Sequence, residues 1–81
     1  MRILLENGES ANLSFSIEKT GLYYVYAELE TNEGTFRERS GGFLNKEKAM
    51  EFMKLCELEE VLPSNIAAVY EDRLFIDILE F

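Results

Sequence analysis

The stretch Leu13-Ser14-Phe15-Ser16-Ile17-Glu18-Lys19-Thr20-Gly21-Leu22-Tyr23-Tyr24-Val25-Tyr26-Ala27-Glu28-Leu29 decides the fold. Leu13, Phe15 and Ile17 alternate with polar residues, the two-residue period of a strand with one face buried. Lys19-Thr20-Gly21 then reads as a three-residue hairpin loop with Gly21 in the left-handed final position, where the lack of a Cβ removes the steric penalty. That loop predicts Ile17 opposite Tyr23, Phe15 opposite Val25 and Leu13 opposite Ala27. The core face of the first strand thus continues onto Tyr23, Val25, Ala27 and Leu29.

Working outward, Thr31-Asn32-Glu33-Gly34 supplies the next turn, and Thr35-Phe36-Arg37-Glu38-Arg39 returns as a third strand with Phe36 on the core face beside Leu29. Ile3 to Leu5, followed by an Asn7-Gly8 turn, adds a short opening strand. Gly41-Gly42 breaks the sheet. Asn45 offers a side-chain oxygen to the free amides of a helix over about Lys46 to Glu60, with Leu44 placed as a hydrophobic staple. Ala49, Phe52, Met53 and Cys56 recur at helical spacing and form the stripe that crosses the sheet. Pro63 and Ser64 start a second helix through Ile66, Ala67 and Tyr70. The segment from Leu74 to Phe81 is almost wholly apolar, and its periodicity fits a helical continuation or a last strand equally. The expected fold is α+β: a three- to four-stranded antiparallel β-meander packed on one face by a C-terminal helix pair.

An 81-residue chain accommodates one core. Its 47% hydrophobic and 30% charged residues lie in the globular range and argue against disorder. A domain this small buries only about 60% of its unfolded surface, so a disulfide, a metal or a partner chain is a common support. With one cysteine and no histidine, neither an internal disulfide nor a Cys/His zinc site is expected, which leaves oligomerisation. The opening residues lack the apolar run of a secretory signal and no stretch is long enough to span a bilayer, so a reducing cytoplasm is the expected location. The net charge of −8 repels phosphate backbones and anionic membranes, and no direct contact with nucleic acid or membrane is expected.

Catalytic patterns are missing. No histidine can serve as a base for Ser10, Ser14, Ser16, Ser40 or Ser64, and the one Ser-x-x-Lys spacing, Ser16-Ile17-Glu18-Lys19, lies on an alternating strand that sends positions i and i+3 to opposite faces. Cys56, on the apolar stripe and near Glu57, Glu59 and Glu60, is expected to have a raised pKa and to be a poor nucleophile. Glu28 to Gly34 superficially resembles a calcium loop, but Gly34 comes one position late and Arg39 occupies the closing carboxylate position. Gly41-Gly42 lacks the spacing and lysine of a phosphate loop. No cofactor is expected.

Tyr24 and Tyr26 fall on the strand face opposite the core, which also carries Glu28, Glu30, Arg37 and Arg39. Glu28 is expected to lie opposite Arg37 or Arg39 and to form an ion pair, and Tyr26 to meet Arg39 in a cation–π contact. Tyrosine and arginine dominate binding hot spots because each joins a large apolar area to a polar end. This face, with the apolar terminus and Phe81, therefore reads as a surface for a protein partner or a homodimer. The bland alternative is a solvated face whose pairs merely stabilise the sheet. Two other functions fit less well. An acidic mimic of nucleic acid, inhibiting a DNA-binding protein, needs carboxylates on one continuous face, and Arg37, Arg39, Lys46 and Lys48 interrupt them. A carboxylate-dependent hydrolase needs a pocket for which this chain has little room.

The order of the Tyr23-Tyr24-Val25-Tyr26 hairpin, an acidic amphipathic helix and Leu62-Pro63-Ser64-Asn65-Ile66-Ala67-Ala68-Val69-Tyr70-Glu71-Asp72 resembles small uncharacterised proteins of clostridia and related Firmicutes. The resemblance covers roughly residues 12 to 73. It implies no assigned activity and carries over no functional residue.

Overall fold

The computed structural model describes residues 1–79, with side chains described through Arg73. Four strands, β1 (Arg2–Leu4), β2 (Ser10–Thr20), β3 (Leu22–Thr31) and β4 (Gly34–Arg39), precede two helices, α1 (Lys46–Glu59) and α2 (Pro63–Leu79). The strands form one antiparallel sheet in chain order, β1-β2-β3-β4, and the helices pack against one of its faces. This is the α+β meander with a helix pair that the alternating pattern implies. The terminal segment resolves in favour of helix as far as Leu79.

Alternation assigns the core face correctly, but the central register slides by two residues. Ile17 pairs with Val25, Phe15 with Ala27 and Leu13 with Leu29, not with Tyr23, Val25 and Ala27 as expected. The cause is the turn. The strands run on to the Thr20–Leu22 pair, with Gly21 (φ 82°) alone at the tip instead of closing a Lys19-Thr20-Gly21 loop. Because a shift of two preserves the pleat, every side chain keeps its face. Phe36 does pair with Leu29, as expected, but remains 53% exposed.

The opening strand is Arg2–Leu4, one residue earlier than its apolar pattern suggested, and is followed by the Asn7-Gly8 turn with Gly8 at φ 87°. Leu13, Val25 and Ala27 from the sheet, Ala49, Phe52 and Cys56 from α1, and Val61 and Ile66 beyond it are buried. Met53, the fourth member of the helical stripe, is half-buried.

Helix α1 starts where its cap predicts: the Lys48 amide donates to Asn45 Oδ1 at 2.8 Å. The staple fails, because Leu44 is 89% exposed. The helix ends at Glu59, and Glu60 takes the left-handed conformation (φ 52°) as its cap, donating its amide to the Cys56 and Glu57 carbonyls.

The connection from β4 to α1 does more than break the sheet. Ser40 is buried: its amide donates to the Val25 carbonyl at 2.8 Å and its hydroxyl accepts from the Val25 amide at 3.1 Å. Phe43 then resumes pairing, opposite Tyr23. Between them Gly41 and Gly42 admit close neighbours. The Tyr70 hydroxyl donates to the Gly42 carbonyl at 2.6 Å, and the Tyr70 ring packs edge-on against Phe43 (5.1 Å between centroids) and Phe52 (6.0 Å).

Candidate interaction face

Both helices lie on the Leu13–Val25–Ala27 side, and among the described residues no element covers the other face of the sheet. The registers set out its surface. Arg2, Asn12, Glu30 and Thr35 form one row across the four strands; Ser14, Glu28 and Arg37 form the next; Ser16, Tyr26 and Arg39 the third; and Glu18 and Tyr24 the fourth, with the Leu4–Ser10 and Thr20–Leu22 pairs flanking them at the two ends. The structure thus brings Tyr24, Tyr26, Glu28, Arg37 and Arg39 onto one surface. Phe81 lies outside the described residues.

The expected pairings shift by one step along the strands. Glu28 does stand opposite Arg37 and Tyr26 opposite Arg39. The Arg37 guanidinium, however, reaches back over the Tyr26 ring (3.8 Å to the centroid) and pairs with Glu18, not Glu28. Arg39 likewise lies over Tyr24 at 4.1 Å, not over Tyr26. The long arginine side chains lean along the strand and settle on the diagonal neighbour, a reach that long side chains have across a ladder. Planar guanidinium on ring gives cation–π attraction and contact area together. Tyr24 and Tyr26 are held half-buried under their arginines, while Ser14, Ser16, Glu18, Arg37 and Arg39 remain exposed.

The sequence reading missed three parts of this face. Glu18 belongs to it as the partner of Arg37, and parity along β2 marks it, since Glu18 alternates with Ile17. Arg2 joins from β1, which starts one residue earlier than its apolar pattern suggested. The third is relief: β2 presents only Ser10, Asn12, Ser14 and Ser16 before Glu18, whereas β3 and β4 present tyrosines and arginines.

Cys56 is fully buried, and its thiol is pushed up to about 12 by that burial and by the negative charge of Glu59 and Glu57. A concavity lined by Ile3, Leu4, Leu5, Glu6, Asn7, Glu60 and Leu62 is a wide groove open to solvent. Among the described residues no three His, Cys, Asp or Glu side chains cluster to hold a metal ion, and no helix is long and apolar enough to cross a membrane. No protein-family model, curated protein or solved structure matches the chain.

Proposed function

We propose that this chain is a small protein-interaction module, regulatory rather than catalytic, that engages its partner through the open face of the sheet. The observation that carries this reading is the pair of tyrosine–arginine stacks, Arg37 on Tyr26 and Arg39 on Tyr24, left uncovered by the helices. Stacking holds the four side chains in place before any partner arrives, so less rotamer entropy is lost on binding. Their types are the ones that dominate binding hot spots. Interleaving of Glu28 and Glu30 with the arginines counts against the chain as an acidic mimic of nucleic acid. The single buried cysteine fits a reducing cytoplasm as the place of action.

Affinity capture tests the reading. Immobilised wild-type chain is expected to retain a protein, its own copy or another, that the Tyr24→Ala/Tyr26→Ala variant retains at least about tenfold less. Equal retention by both, with the variant's circular dichroism unchanged, would overturn it, as would retention by neither.

A further inference from the structure

We infer that the occupant of the open face is a second copy of this chain, seated face to face about a two-fold axis that runs parallel to the strands between β2 and β3. The inference rests on the reading of that face as the binding surface and adds the identity of what covers it. Relief is the first argument. The face is a step, low over Ser10, Asn12, Ser14 and Ser16 of β2 and tall over Tyr24, Tyr26, Arg37 and Arg39 of β3 and β4. A two-fold along the strands lays β3 of one copy over β2 of the other, so the tall half of each enters the low half of its mate. Aligned sheets pack this way, about 10 Å apart.

Charge is the second argument. Within the strands the open face carries Arg2, Arg37 and Arg39 against Glu18, Glu28 and Glu30, a formal charge of zero on a chain whose total is −8. It is a surface on which two such acidic molecules meet without net repulsion. The same axis sets Glu28 against Ser14 of the second copy, Glu30 against Asn12, Glu18 against Tyr24 and Arg2 against Thr35, and none of these pairings opposes like charges. An isologous interface requires this self-complementarity.

Surface area is the third. Strands of these lengths, about 4.8 Å apart with a rise of about 3.3 Å per residue, outline a face of roughly 500 Å² before side-chain relief is counted. Stable interfaces bury about 800 Å² per partner, so a weak, concentration-dependent dimer is expected rather than a permanent one.

Sedimentation equilibrium from about 5 µM to about 1 mM tests the inference. Wild-type mass should climb from 9.4 kDa toward twice that value. Two variants should hold the chain monomeric over the same range: Tyr24→Ala/Tyr26→Ala, which removes the tall half, and Ser14→Glu, which fills the low half and sets a carboxylate against Glu28 of the second copy as well as beside Glu28 of its own chain, so that its fold is checked by circular dichroism. Ser14 is exposed, so its replacement spares the core, and Ser14→Ala should dimerise as wild type does. A wild-type chain that stays at 9.4 kDa to the highest concentration overturns the second copy. Partner capture sensitive to Tyr24 and Tyr26 would then leave the binding face itself standing. A dimer indifferent to both variants overturns the face as well as its occupant.

Discussion

Cys56 shows how one residue's chemistry is decided by what surrounds it. On an exposed loop its thiol would ionise near 9.0; in the fold it does so near 12, because burial and the neighbouring Glu59 and Glu57 all disfavour the thiolate. Between those values the unfolded chain releases a proton that the native chain keeps. Stability from this group is therefore whole below pH 9 and declines as pH rises toward 12. Urea midpoints measured from pH 8 upward should fall more steeply for the wild type than for Cys56→Ala, which lacks the titrating thiol; parallel slopes would mean that folding leaves the thiol's proton affinity unchanged. At pH 8 a disulfide reagent should label native Cys56 at least about a hundredfold more slowly than the unfolded chain, because reaction waits on opening of the core.

At the scale of elements, the junction between β4 and α1 ties the sheet to α2. A Cβ on Gly41 would sit 2.0 Å from Tyr70 Cε1, and that ring is held by Phe43, by Phe52 and by its own bond to Gly42, so it has nowhere to retreat. Gly41→Ala should therefore cost about 2–3 kcal/mol, read as a lower guanidinium midpoint. Tyr70→Phe, which loses only the hydroxyl bond, should cost about 1 kcal/mol. A larger loss for Tyr70→Phe than for Gly41→Ala would mean that the bond, and not the close approach, carries the junction. Little of this was legible in the sequence. Gly41-Gly42 announces a break in any strand, but the need for it comes from Tyr70, nearly thirty residues on, and no local pattern links the two. Ser40 likewise reads as an ordinary polar residue until Val25 is seen to bond with it. By contrast, strand faces, the α1 cap at Asn45 and the start of α2 at Pro63 are local signals, and each lies where it was expected. The face carrying Tyr24, Tyr26, Arg37 and Arg39 was legible for the same reason, since parity survives a two-residue register shift. Its actual partners were not, because which ring each arginine covers depends on side-chain reach rather than on register.

For the whole molecule, the distribution of charge makes a prediction that separates the possible partners by sign. Two chains of net charge −8 repel one another at long range, and at about 10 mM salt the screening length is about 30 Å, comparable to the molecule itself, whose extents are 42 × 25 × 16 Å. At physiological ionic strength that length shrinks to about 8 Å, so most of the repulsion between the bodies is removed while the contacts across a charge-neutral face are left. Association of two copies should thus tighten as salt is raised from about 10 to about 150 mM, on the order of tenfold. A basic protein attracted by the acidic surface should behave in the opposite sense, gripping hardest at low salt and letting go as its steering field is screened. Sedimentation in a salt series distinguishes the two by direction alone, without an exact dissociation constant. A wild-type dimer that loosens with salt would mean that charged contacts, and not the stacked tyrosines, hold it. One that tightens would mean that the sheet face brings together molecules whose remaining surfaces push apart, so that the neutral face alone selects how they meet.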